Sequence, residues 1–326
     1  MNRFSAPAGF VAAIVVLALT PFFATTFAVS TLTQILSFSL LAASVSLLMG
    51  QGGMPTLGQA AYLGVGGYAA GLLAIHVTTD ALLGLLVAAV AGLVASLLTG
   101  WLVVRGRGTY LLMLTLAIAQ LLAQVANSWV SVTNGSDGLI GVPHQTLFGA
   151  SLASTVGSFW FVLAVFALCM AGLALLIQSP FGHTLRGIRD NETRMRALGY
   201  GTVGYKLAAF GIAGVVSAVA GSLTITETQY MAPSEMNYIA SSIALIASIA
   251  GGTTRLWGAV LGSALVVACQ VLLPEAWQGK GPLVLGVVLI LVVYLVPGGF
   301  AGALSRVVAR IRPRARREGT RHVAKA

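Results

Sequence analysis

The side chains that could do chemistry are few and concentrated. Arg186, Arg189, Asp190, Glu192, Arg194 and Arg196 all fall in one run, SPFGHTLRGIRDNETRMRALGY at 179–200, inside a chain that is otherwise almost continuously apolar. A bilayer cannot hold that density of charge, so the run lies in water between two membrane segments. Ser179-Pro180 at its start and Gly199 near its end bracket a short helix. With charge on several faces, such a helix has nothing to bury by itself. It is either a solvated loop helix or a docking helix for a soluble partner. Arg186 and Asp190 are i and i+4 and share one face; Arg189 and Glu192, at i and i+3, share the adjacent one. The docking alternative assigns the first face to the partner.

The polar groups inside the apolar runs are small or amide-bearing: Gln34, Ser37, Ser39, Ser44 and Ser46, then Gln59 and Tyr62, then Thr115, Gln120, Gln124 and Asn127. They either form interhelical hydrogen bonds, worth about 0.6 kcal/mol each, or line a path for a neutral or zwitterionic solute. Buried carboxylates, which an ion-coupled transporter usually needs, are almost absent; Glu227, at the outer end of an apolar run, is the nearest. There is no G-x-x-x-x-G-K-[ST], HExxH, GxSxG or CxxC pattern. The chain therefore reads as neither an enzyme nor an ATP-binding protein. Cys169 and Cys269 sit in apolar runs and read as small hydrophobes; the histidines are scattered, and no metal site is expected. The turn-rich TNGSDG at 133–138 is either a connector or, through Asn134, Ser136 and Asp137, a surface on which a soluble protein docks.

The elements that must position these residues are membrane helices. The 326 residues are 57% hydrophobic and 8% charged, against about 25% charged in a soluble chain. Runs of about 20 apolar residues predict an all-α polytopic protein of about ten spans: 8–27, 31–50, 56–76, 81–104, 109–130, 157–178, 204–226, 237–252, 255–273 and 281–301. The first reads as a membrane helix rather than a cleaved signal. The third is rich in glycine and the eighth is short, so either could be broken or re-entrant. Gly67 and Gly71 lie on one helical face and favour close packing. Of 18 Lys and Arg, all but Lys280 fall on one side of this arrangement. By the positive-inside rule that side is the cytoplasm, with both termini and the 179–200 run. A transmembrane domain then covers 1–305, with a basic tail over 306–326. The net charge of +10 comes largely from that tail. A basic run just after a span holds the anionic lipid surface, and no aromatic platform or recognition motif accompanies it, so nucleic acid is not an expected partner.

Together these stretches resemble a known family. GQGGMPTLGQAAYLGVGGYAA at 50–70, VRGRGTYLLMLTLAIAQ at 104–120, TNGSDGLIGVP at 133–143, the 179–200 run and GGTTRLWGAVLGSAL at 251–265 carry the match, with VLLPEAW at 271–277 weaker. The chain is similar to permease subunits of branched-chain amino acid ABC importers of the high-affinity Leu/Ile/Val type, most closely the M-type subunit. The resemblance implies pairing with a second homologous permease, two cytoplasmic ATPases that bind and hydrolyse ATP, and a periplasmic or extracellular amino-acid-binding protein. It implies a multi-pass protein of the bacterial inner membrane, with no cofactor of its own. It makes about 180–200 the coupling helix, with Arg186, Arg189, Asp190, Asn191, Glu192, Arg194 and Gly199 in ATPase coupling. Gln59, Tyr62, Thr115, Gln120 and Gln124 become candidates for the translocation path. The sequence departs from the family at Met54-Pro55, commonly Ile- or Val-Ser, at Gln59, commonly His, and in the more basic Thr193-Arg194-Met195-Arg196. A related importer for urea, short amides or another amino acid is the alternative, and a stand-alone secondary transporter or channel is the reading from another class.

Overall fold

The computed structural model describes residues 14–22, 24–106, 108–147, 149–253, 256–271 and 286–287. The tenth expected span, apart from two of its residues, and the basic tail lie outside the described residues.

The architecture is a helical bundle. Helix α1 (Thr26–Ser46) ends in a wider π turn, Leu47–Gln51; α2 (Gln59–His76), α3 (Ala81–Val103), α4 (Thr109–Ser128) and α5 (Thr155–Gln178) follow. Two short helices, α6 (Pro180–Asp190) and α7 (Glu192–Ala197), precede the long α8 (Thr202–Thr228), and α9 (Tyr238–Gly251) and α10 (Leu256–Val271) close the described chain. Three of the long helices start on side-chain caps, which satisfy otherwise orphaned N–H groups. Thr25 accepts from the Ala28 N–H, Asp80 from Leu82 and Ser154 from Gly157.

Among the described residues, five helical segments are long and apolar enough to cross a membrane: Thr26–Gln51, Ala81–Val103, Thr109–Ser128, Thr155–Gln178 and Thr202–Thr228. Helices α1 and α8 are mostly buried, and α8 packs against α1, α2 and α3. By contrast α3, α4 and α5 carry Leu86, Leu98, Trp101, Leu121, Leu168 and Leu175 on the outside. An apolar exterior around a satisfied helical backbone is what a hydrocarbon solvent permits.

Small residues bring the inner helices together. The buried stripe of α3 is Ala81, Gly84, Ala88, Gly92, Ser96, Gly100 and Val103, at helical spacing. It faces Phe210, Gly214 and Ala218 of α8. A methyl group at Gly66 of α2 would collide with the Ala218 carbonyl, and one at Gly221 of α8 with the Leu63 carbonyl. This is the small-residue packing of helices in lipid.

The expected spans are adjusted in three places. The first boundary lies at residues 20–25, where Thr20–Phe22 forms a 3-10 turn, so α1 begins about one turn earlier than expected. Helix α2 holds Gln59, Tyr62, Tyr68 and His76 and is only moderately apolar, because other helices rather than lipid surround it. The eighth and ninth segments, α9 and α10, have 14 and 16 residues and turn through 119° between them. At ~1.5 Å per residue each reaches about 21–24 Å, short of a ~30 Å hydrocarbon core. They form a hairpin. The Ser46 hydroxyl donates to the Thr253 carbonyl (3.0 Å) at its tip, while Ala240 and Val267 line one cavity with Gln34 of α1.

The bundle has two ends. At one, β1 (Leu139–Ile140) pairs antiparallel with a later strand, β4 (Tyr230–Met231), and the hairpin β2 (Thr146–Leu147)–β3 (Ala150–Ser151) bonds Thr146 N–H to the Thr79 carbonyl (2.7 Å). At the other, the 50–58 loop meets α6.

Candidate functional site

The charged run is two helices rather than one. Asn191 is extended (φ −158°, ψ 94°), which ends α6, and its Oδ1 accepts from the Arg194 N–H (2.9 Å) to start α7. The run also buries an apolar face that its charges conceal: Gly182, Leu185 and Ile188, at i, i+3 and i+6, turn toward the bundle.

Its charges divide into anchors and an outer face. Arg189 Nη1 donates to the Gly50 carbonyl (2.5 Å), closing the C-terminal end of the π turn, while Nε donates to Asp190 (2.9 Å). Gly53 lies beneath that arginine with φ +63°, and a Cβ there would stand 2.6 Å from Arg189 Cγ. Only glycine combines this backbone with this approach. Glu192 pairs with Arg196 (2.7 Å) and with the buried Lys206 of α8 (2.8 Å). Arg186 turns along α6 to the Ile177 carbonyl (3.2 Å) and His183 (3.0 Å), so it does not share an outward face with Asp190. The surface offered outward is Asp190, Asn191, Arg194 and Leu198, and Gly199 at φ +87° ends it.

The candidate path residues are spread over α2 and α4 and bond to different partners. Gln59 and Tyr62 are fully buried. Gln59 Oε1 lies 3.5 Å from the Ser44 hydroxyl and its backbone carbonyl accepts from Ser217 (2.6 Å). Tyr62 shares a hydrogen bond with Thr99 (2.6 Å) and meets Phe210 edge to face. The buried Thr115 accepts from the Leu57 N–H (3.1 Å), tying α4 to the loop before α2. Gln120 donates to Asn237 (3.3 Å), and the exposed Gln124 to Ser128 (3.2 Å).

At the opposite end Asn134 is left-handed (φ 61°), and its side chain donates to the Gly138 carbonyl (3.3 Å). With Ser136 and Asp137 it stands exposed beside β1. Near this end a cavity of about 300 Å³ opens between α1, α8 and the α9–α10 hairpin. Gln34, Ser37, Thr224, Glu227 and Glu235 form part of its wall, and Phe38, Leu41 and Val267 another part. A smaller cavity of about 120 Å³ shares Glu227 and is lined by Ser30, His144 and Thr226. Burial pushes the carboxyl pKa of Glu235, in the turn before α9, above the usual range.

Residues 27–296 match the family model described as branched-chain amino acid transport system / permease component. The chain belongs to that family. Two relatives are the high-affinity branched-chain amino acid transport system permease proteins LivM of Salmonella typhimurium and Escherichia coli. Each is 24% identical over 89% of this chain and 74% of its own length. The autoinducer 2 import system permease protein LsrC of Photorhabdus laumondii is 27% identical over 57% of this chain and 54% of its own. No solved structure matches. Membership makes the chain a multi-pass membrane permease component of a transport system rather than an enzyme.

Within this permease fold, sequence reasoning missed two groups. Lys206 is one: it is the buried partner that holds α7 to α8. Its i+14 separation from Glu192 crosses a helix break and a turn, so no local periodicity connects them. Glu227, Glu235 and Ser37 were noticed singly, if at all; separate elements bring them to one cavity. The signal that could have flagged them is scarcity: carboxylates in so apolar a chain need a reason.

Proposed function

We propose that this chain is the membrane-spanning permease subunit of an ABC importer for branched-chain amino acids. It forms the translocation path with a second homologous permease. Two cytoplasmic ATPases supply ATP hydrolysis and a periplasmic or extracellular binding protein delivers the solute. The observation that carries this reading is the coupling end. A charged two-helix element is fastened to the bundle at Gly50 and Lys206, and it presents Asp190, Asn191, Arg194 and Leu198 outward. A partner that moves this element moves α8 through Glu192–Lys206 and the α1–α2 loop through Arg189. Rigid links of that kind suit transmission of force from a soluble motor.

The basic side of the chain faces the cytoplasm, with both termini and α6–α7 there, and the tail lies on anionic lipid. The returning α9–α10 hairpin supports these sides, since a hairpin leaves the following chain where two full spans would. The Asn134, Ser136 and Asp137 loop then faces outward toward the binding protein. The test is co-purification of ATPase subunits with tagged permease bearing Asp190→Lys and Arg194→Glu together. Loss of the ATPases from an otherwise intact permease pair is expected. Retention with normal transport would make α6–α7 a solvated connector.

A further inference from the structure

We propose that the cavity between α1, α8 and the α9–α10 hairpin is a solute subsite that holds the ammonium group of an amino acid near Glu227 and Glu235, with its aliphatic side chain against Phe38, Leu41 and Val267. The inference rests on the amino-acid reading of the permease and adds a place and a chemistry to it.

Four observations point the same way. The volume, about 300 Å³, is at the small end of ligand sites, which run from about 300 to 1,000 Å³; a single amino acid suits it better than a larger solute. Among the described residues two carboxylates line it, and no Lys or Arg does. Among the described residues neither carboxylate forms an ion pair; Glu227 accepts a hydrogen bond from Ser30 (3.2 Å). Two like charges facing one partly desolvated space favour a cation between them. The Ser37 side chain lines the same cavity. It is 3% exposed, and among the described residues its hydroxyl has no hydrogen-bond partner. A buried hydroxyl left unpaired is costly, and a polar solute group would satisfy it. Gln34 and Gln270 add amide donors suited to a carboxylate.

The apolar wall separates this solute from the alternatives. A bare metal cation gains nothing from Phe38, Leu41 and Val267, and urea or a short amide gains nothing from paired carboxylates that an ammonium would not gain more strongly. A branched-chain amino acid uses both.

The test uses the full importer in proteoliposomes, with binding protein and ATP, and reads radiolabelled L-leucine uptake and ATP hydrolysis separately. Glu227→Gln with Glu235→Gln is expected to lower leucine moved per ATP at least tenfold. ATP hydrolysis stimulated by the loaded binding protein should stay within twofold, and Glu227→Asp with Glu235→Asp should recover part of the ratio. Should the Gln variant fail to assemble, Ser37→Leu narrows the same cavity without touching a charge and should lower the same ratio. An unchanged ratio overturns the inference. So does a parallel fall of uptake and hydrolysis that the Asp variants do not relieve, which would make the pair structural. Wild-type importer that moves no leucine refutes the amino-acid reading, and this inference with it; wild-type uptake matched by every variant refutes the subsite alone.

Discussion

Lys206→Met tests how α7 is fastened to the bundle. Lys206 Nζ stands 2.8 Å from Glu192 Oε2, and the two side chains are 8% and 16% exposed. Removing one partner of a fully buried pair costs about 3–5 kcal/mol. Glu192 keeps Arg196 at 2.7 Å and the Thr202 hydroxyl at 3.3 Å, so its charge is not stranded. The fitting magnitude is that of one charge-assisted hydrogen bond, about 2 kcal/mol. That is about a 30-fold shift toward the undocked element. Arg196 is the built-in comparison. Its side chain is 48% exposed, so an i,i+4 pair of this kind contributes about 0.3–0.5 kcal/mol, or about twofold. Amide hydrogen exchange over 192–198 in lipid nanodiscs measures the opening. Exchange should accelerate about 30-fold in Lys206→Met and about twofold in Arg196→Met. Adding Glu192→Gln to Lys206→Met should produce much less than the sum of the single effects, because both remove the same bond. Equal acceleration in the two single variants, or none in Lys206→Met, would refute the reasoning.

Other perturbations follow from the same geometry. Asn191→Ala removes the α7 cap and should cost about 1 kcal/mol, seen as faster proteolysis within 190–199, while Asn191→Asp should preserve protection. Gly66→Val drives a side chain into the Ala218 carbonyl; overpacking of about 1–3 kcal/mol or more should lower the Tm in detergent, and an unchanged Tm would contradict the α2–α8 contact. Because burial raises the Glu235 carboxyl pKa, its charge is present above that raised value and lost as pH falls through it. Leucine uptake should therefore begin to fall at a higher pH than the ordinary glutamate value of about 4.3. Glu235→Gln should remove that part of the profile, leaving the contribution of Glu227 in the same cavity. Asp137→Lys should reduce ATP hydrolysis stimulated by the binding protein, and an unchanged rate would end the docking role of that loop.

The long helices were legible because apolar runs of span length have few other meanings in so uncharged a chain. Helices α1, α3, α4, α5 and α8 fall where hydropathy places them, with the starts of α1 and α5 displaced to the capping residues Thr25 and Ser154. The α9–α10 hairpin was not legible as one. Its bend rests on backbone contact: Gly252 takes φ +104°, and a Cβ at Gly251 would strike the Gly258 carbonyl. Hydropathy registers two apolar runs there and nothing of their angle. The charged run showed itself as an aqueous element between spans, but not which charges point where. The break at Asn191 rephases everything after it, so the i,i+4 reasoning that joined Arg186 to Asp190 does not extend across to Glu192. The cavity left no local pattern, because α1, α8, α10 and the turn before α9 contribute its polar groups one to three at a time.

The most direct test of the central claim is solute flux through the reconstituted assembly: this chain, its partner permease and two ATPases in proteoliposomes, supplied with a leucine-loaded binding protein. Uptake should require all four components and ATP, and should cease when ATP is replaced by a non-hydrolysable analogue. Leucine uptake by this chain alone, driven by a proton or sodium gradient without ATP, would contradict the account.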